Sequence, residues 1–334
     1  MHFRALDFYR FVAAMGVVLF HYSHKVDGPE FQSLRYMVDF FFVLSGFVIM
    51  QSASGIGRGD VMPFFLKRLA RIWPLHVLTL GLFMLYAVIQ ISYLGKTSDR
   101  YDWSSLPQQL LMIHAWGTTD AATWNGPSWS ISAEWFVYLL FPLFLAFYRR
   151  WGVAALLGLS ASIWAALTIN DYLDPGRPWT WATHDWGAMR AVPSFILGMA
   201  LNRLPPVRVS WTSTWLAFGA VVASLFLNLP GPAYVPIFGA LIYLTACAGT
   251  PEWMKTRLVG ELGNLSYGVY MFHVLVLLVS FNALGRWVPH VPLAAGAAAG
   301  SLAVSWIVFH HFEKPCRDAV KEWLKGRRAL LPAE

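Results

Sequence analysis

Charge is what this sequence has least of. Asp, Glu, Lys and Arg make up 13% of its 334 residues and hydrophobic residues 57%, too little charge to clothe a water-soluble surface. Cysteine is nearly absent: Cys247 stands in an apolar run and Cys316 near the C-terminus, so neither a disulfide framework nor a metal cluster is expected. The chain also lacks low-complexity linkers, repeats of fixed period and any stretch that reads as an appended soluble domain. These absences exclude a soluble enzyme, a secreted disulfide scaffold and a repeat protein, and leave a chain suited to a lipid bilayer.

What is present is a series of mostly apolar windows, each long enough to cross a hydrocarbon core of about 30 Å. They read as ten transmembrane helices at 5–24, 34–53, 71–93, 129–148, 151–170, 186–203, 211–229, 232–250, 265–285 and 290–311. The expected fold class is an all-α integral membrane protein, with 1–312 as one polytopic membrane domain and 313–334 as a basic cytoplasmic tail. An even number of spans puts both termini on one side. Seventeen Lys and Arg fall at the N-terminus, in the connections near 54–70, 149–150, 203–210 and 251–264, and in the tail, against seven in the opposite loops and helix ends. The positive-inside rule makes the first set cytoplasmic. The net charge of +7 then resides largely in a tail, Lys314 to Arg328, lying against an anionic inner leaflet, and no nucleic-acid partner is needed.

The first helix is expected to stay uncleaved, because Asp7 and Arg10 precede its apolar run and His21-Tyr22-Ser23-His24 stands where a small-residue cleavage site would fall. Two long connections, 94–128 and 171–185, face outward and make the outer face the place for a polar acceptor. The apolar stretch Leu106–Trp116 is expected to lie along the interface.

An ionisable side chain at the centre of a membrane helix costs about 2.5–3.5 kcal/mol on insertion scales, so each one demands a partner, a water cavity or a task. Helix 1 holds Arg10 and His21, eleven residues apart, which returns them to within about 20° of one face at an axial separation of about 16.5 Å. Read blandly, they are a snorkelling arginine and a hydrogen-bonded histidine; read together, they mark a functional stripe. Arg68 and Arg71 stand at i, i+3 at the cytoplasmic entrance, where guanidinium forks suit a phosphate, although topology alone also asks for basic residues there. Asp39 lies among three phenylalanines, and Ser130 and Glu134 share a helix face at i, i+4. His273 and Glu313-Lys314-Pro315 are read as structural.

At these residues the chain resembles the acyltransferase 3 family of bacterial membrane O-acyltransferases, including those that modify exopolysaccharides and lipopolysaccharide. The resemblance runs from end to end. It rests on Arg10 with His21, the segment Asp39-Phe40-Phe41-Phe42-Val43-Leu44-Ser45-Gly46-Phe47, Arg68 with Arg71, Trp129-Ser130-Ile131-Ser132-Ala133-Glu134-Trp135, Arg190 through Gly198, Ser266 through His273, and Glu313-Lys314-Pro315. It implies an enzyme that takes an acyl group, acetyl being the expected one, from cytoplasmic acyl-CoA and places it on a glycan hydroxyl. It implies a multi-pass protein of the bacterial inner membrane whose partners are the lipid bilayer, acyl-CoA and a carbohydrate acceptor, with no metal and no tightly bound cofactor. The resemblance points to His21 and Arg10 as essential and to Arg68 and Arg71 as important, and Trp129, Ser132 and Glu134 carry over from it. The expected site has His21, Arg10, Glu134 and Asp39 as catalytic residues, Arg68 and Arg71 for acyl-CoA, and Trp129, Ser132 and Arg190 for substrate.

His21 is expected to act as general base on a sugar hydroxyl or as a transient acyl carrier, with Glu134 or Asp39 fixing its tautomer. Some relatives carry a hydrolase-like domain after the membrane part; this chain runs to Glu334 without one, which points to a branch acting on a surface polysaccharide or its lipid-linked unit. The rival expectation is a transporter or flippase of a glycan or acyl intermediate, against which stands the absence of inverted repeats and paired broken helices.

Overall fold

A computed structural model describes residues 4–26, 28–174, 176 and 178–329. It is all helical among these residues, and its helices in chain order are α1 Arg4–Ser23, α2 Met37–Ala53, α3 Val61–Leu94, α4 Leu106–Leu110, α5 Trp129–Leu173, α6 Gly187–Arg203, α7 Trp211–Phe226, α8 Tyr234–Ala248, α9 Arg257–Leu284, α10 His290–Val308 and α11 Lys314–Ala329. Seven helical stretches among the described residues are long and apolar enough to cross a membrane: Arg4–Ser23, Gln32–Ala53, Val61–Leu94, Gly126–Leu173, Gly231–Ala248, Arg257–Leu284 and His290–Gly326. The protein is thus a multi-pass membrane protein.

The ten expected spans exceed seven for two reasons. Helices α6 and α7, with 17 and 16 residues, are at the short limit for a crossing and are not among the seven. Expected spans 129–148 and 151–170 both lie in α5, which breaks at Gly152, where φ is 79°. A positive φ is open to glycine and strained for other residues. The break doubles the chain back: Phe141 on the first arm and Ser160 on the second would be about 28 Å apart on a straight helix, yet Phe141 stacks edge-on against Phe195 and Ser160 donates to the Pro193 carbonyl.

Helix directions follow from such pairs. Arg10 meets Gly263 and Ser266 while His21 meets His273, so α1 and α9 run parallel. Asp39 meets Arg190 and Gln51 meets Asn202, so α2 and α6 run parallel. Close passage of α2 and α6 depends on two glycines: a methyl group at Gly46 would collide with the Phe195 carbonyl, and one at Gly198 with the Val43 carbonyl. The main core is aromatic, with Phe42, Phe141, Phe195, Phe238 and Tyr234 all fully buried between α2, α5, α6 and α8.

The stretch 106–116 does not lie along the surface as expected. After α4 it dips into the bundle, burying Met112, His114 and Ala115, because Ser132 on α5 captures its backbone from both sides: the Ser132 hydroxyl donates to the Met112 carbonyl and accepts from the Ala115 amide. At the other end, α10 passes through a π-helical turn, Phe309–Glu313, into α11, which packs on α3 and buries Leu324. The expected basic tail is therefore helical to Ala329, and 330–334 lie outside the described residues.

Candidate active site

Three helices bring charge to one small cavity. Arg10 of α1, Arg68 and Arg71 of α3 and Glu134 of α5 line a space of about 130 Å³, completed by Ser45, Tyr138, Ser266, Tyr267 and Tyr270. Each side chain arrives there by helical spacing: Arg68 and Arg71 at i, i+3, Glu134 and Tyr138 at i, i+4, and Ser266, Tyr267 and Tyr270 on one face of α9. The Arg10 guanidinium is held by α9, its Nε donating to Ser266 Oγ at 2.9 Å and Nη2 to the Gly263 carbonyl at 2.5 Å, with Asp7 3.8 Å away. Glu134 Oε1 accepts from Ser45 Oγ at 2.8 Å and from the Tyr138 hydroxyl. Three guanidinium groups thus face one carboxylate within the cavity lining. That excess of positive charge at membrane depth is best relieved by an anion.

Beyond Tyr270, one turn further along α9, lies His273, fully buried and directed at His21 of α1. Its Nδ1 sits 2.7 Å from the Tyr270 carbonyl and 3.2 Å from the Val269 carbonyl. Carbonyl oxygens only accept, so Nδ1 of neutral His273 carries the hydrogen and Nε2 offers a lone pair. His21 Nδ1 lies between that nitrogen, at 3.1 Å, and the Val17 carbonyl, at 2.9 Å. Both neighbours accept, so His21 Nδ1 bears its hydrogen and Nε2 is left unprotonated, the form of a base or nucleophile. Tyr22 steadies the pair by donating to the His273 carbonyl at 2.9 Å. The tautomer of His21 is set by Val17 and His273, and not by Glu134 or Asp39 as expected.

Asp39 is engaged elsewhere. Its carboxylate receives Arg190 Nε at 2.9 Å and Nη2 at 2.6 Å, with both side chains almost fully buried, and the same guanidinium lies 5.1 Å from the Trp129 ring. Asp39, Trp129 and Arg190, three of the expected site residues, form one cluster between α2, α5 and α6, outside the lining of the arginine cavity. Ser132, expected to bind substrate, is buried and engaged by the 112–115 backbone. Arg10, Glu134, Arg68 and Arg71 share the cavity lining, and His21 lies outside it, eleven residues beyond Arg10 on α1 and paired with His273 of α9.

Sequence reasoning assigns no role to Tyr138, Ser266 and Tyr270 and reads His273 as structural. Tyr138 was findable as the i+4 neighbour of Glu134. His273, like Ser266 and Tyr270, had its signal in the Ser266–His273 segment on which the resemblance rests.

Comparison with known proteins gives one family match: the model of an acyltransferase domain covers residues 3–310. Among curated proteins, the chain is 28% identical to acyltransferase MdmB of Streptomyces mycarofaciens, over 81% of this chain and 75% of that protein. It is 24% identical to nodulation protein 10 of Rhizobium leguminosarum bv. viciae, over 80% of this chain and 79% of the relative. It is 22% identical to peptidoglycan O-acetyltransferase OatA of Listeria monocytogenes, over 94% of this chain but 55% of that longer protein. No solved structure matches the chain.

Proposed function

The chain belongs to the acyltransferase 3 family and is a membrane acyltransferase, and from that premise we propose that it moves an acyl group, acetyl being the expected one, from cytoplasmic acyl-CoA to a sugar hydroxyl of a surface or exopolysaccharide or its lipid-linked precursor. The observation that carries this reading is the alignment of an arginine-lined cavity with an unprotonated imidazole nitrogen farther along the same pair of helices, α1 and α9. Phosphate belongs at Arg68 and Arg71. The cavity, about 130 Å³, has room for the thioester arm rather than for the nucleotide, and Tyr270 in its lining stands one turn of α9 before His273, the partner of His21.

At that point the chemistry is acyl exchange. His21 Nε2 takes the proton of the sugar hydroxyl as its oxygen attacks the thioester carbonyl; the tetrahedral intermediate then collapses, the carbon–sulfur bond breaks, and the thiolate of CoA leaves with the proton from the imidazolium. His273 positions the imidazole, and hydrogen bonding of Nδ1–H stabilises the charge it acquires. Arg10, fixed to Gly263 and Ser266, holds its charge at the inner end of the donor path. Asp39 and Arg190 brace α2 against α6.

For the membrane arrangement we propose ten crossings in the inner membrane, with both termini and the arginine mouth on the cytoplasmic side. The parallel sense of α1 with α9 and of α2 with α6 supports it, since alternation of ten segments makes the first and ninth, and the second and sixth, run the same way. One of the relatives, a peptidoglycan O-acetyltransferase, supports a glycan acceptor.

Two measurements test the whole. Purified protein in lipid nanodiscs, given radiolabelled acetyl-CoA and a crude lipid-linked glycan fraction, should release CoA and label the glycan; a transporter would do neither. Mass spectrometry of the cell's surface glycan should show loss of one defined acyl mass when the protein is removed, and an unchanged glycan would count against the acceptor.

A further inference from the structure

We infer that the C-terminal helix α11 is part of the donor site, its basic face closing a cradle for the nucleotide phosphates of acyl-CoA; the inference rests on the reading of acyl-CoA as donor. The observation is a second cavity, of about 360 Å³, whose charged lining consists of Lys67, Arg68 and Arg71 from α3 and Arg317, Lys321 and Lys325 from α11. Six cations line it and no carboxylate does. Arg68 and Arg71 also line the inner cavity, so the two spaces share a wall of guanidinium groups.

Size separates their roles. The outer space falls within the range of about 300–1,000 Å³ usual for small-molecule pockets, whereas the inner one, about 130 Å³, is below it. A donor with a bulky, phosphate-bearing head and a thin thioester arm would put the head in the first and the arm in the second.

The geometry of α11 is arranged for this. Residues 317, 321, 324 and 325 fall at i, i+4, i+7 and i+8, one face of a helix, and on that face Leu324 is buried and anchors the helix on α3 while the cations flank it. Lys321 and Lys325 are held meanwhile by Asp318 at 2.9 Å and Glu322 at 2.7 Å, both pairs solvent-exposed. Exposed pairs of this kind are worth about 0–1 kcal/mol, so a phosphate arriving in the cavity displaces the carboxylates at small cost. Arg68 Nε is buried with no hydrogen-bond partner in the protein, among the described residues, and the side chain lines both cavities. The π-helical turn at Phe309–Glu313 sets the direction of α11 across the start of α3. A lipid headgroup offers the same phosphate chemistry. The concave lining and the shared wall with the inner cavity favour the donor.

The test is equilibrium binding to the full chain in phosphatidylcholine nanodiscs, which carry no anionic headgroup. Lys321→Gln with Lys325→Gln, at two exposed positions where folding is not at stake, should weaken acetyl-CoA binding on the order of tenfold at low salt. Affinity for S-acetylpantetheine, which has no phosphate, should be equal in parent and variant. Equal acetyl-CoA affinity in parent and variant would overturn the inference. So would a difference seen only in nanodiscs containing phosphatidylglycerol, which would give this face to lipid headgroups. If the parent binds neither thioester, the donor reading itself fails; if it binds acetyl-CoA and the α11 variant binds it equally well, only the role of α11 fails.

Discussion

At the scale of single residues, the imidazole pair carries the sharpest consequences. If His21 Nε2 moves the proton of the sugar hydroxyl, His21→Gln should lose transfer by roughly 10²–10⁴-fold, as His21→Ala does, because an amide keeps hydrogen bonds but does not exchange protons near neutral pH. Acetyl-CoA binding by these variants should persist, measured by calorimetry on the folded protein. A His21→Gln variant acylating at the parental rate would remove the imidazole from the chemistry. His273 acts through His21, since its Nε2 meets His21 Nδ1 at 3.1 Å and its own Nδ1 faces backbone carbonyls. His273→Ala should therefore lower kcat by roughly 10–100-fold, leave KM for the donor near the parental value and shift the pH–rate profile. His273→Gln, whose amide oxygen can still accept from Nδ1–H, should recover part of the loss. Equal defects in both His273 variants would assign it to packing alone.

At the scale of elements, the bundle is organised by how closely two helices pass. Gly46 and Gly198 let α2 and α6 meet backbone to backbone, and this contact seats the Asp39–Arg190 pair, buried and bidentate. Removing one partner of such a pair leaves an uncompensated buried charge and costs about 3–5 kcal/mol. Gly198→Leu should force α2 from α6, lower the thermal midpoint of the detergent-solubilised protein by several degrees, and reduce activity together with the folded fraction. Arg190→Ala should behave likewise, with transfer per folded molecule largely kept, because its guanidinium is engaged by Asp39 and braces α2 against α6. If Arg190→Ala abolished turnover in fully folded protein, the cluster would belong to the acceptor site after all.

At the scale of the whole molecule, the expected order is set by charge and span. Reporter fusions after Arg150 or Lys325 should report cytoplasm, and fusions in 95–105 should report the opposite side, with one reversed loop enough to undo the ten-crossing arrangement. The prediction bears on mechanism, because the donor path requires Lys67, Arg68 and Arg71 to face the CoA pool.

Helix positions were legible in the sequence because a bilayer admits few solutions: each of the ten expected segments is helical, and the 3.6-residue period alone placed Arg10 with His21 and Arg68 with Arg71. What periodicity does not reach is contact between helices distant in the chain. Asp39 and Arg190 are 151 positions apart, and His21 and His273 are 252 apart. Nothing in local pattern distinguishes an acid that orients a base from an acid that locks an arginine. The sequence by itself determined a membrane bundle of helices and an arginine–histidine stripe along the first of them. Only the tertiary structure decided that His273 orients His21, that Asp39 belongs to Arg190, and that α11 folds back over α3. Partner choice among buried polar groups is made where helices pack, since each group must be satisfied by whatever the neighbouring helix presents at that depth.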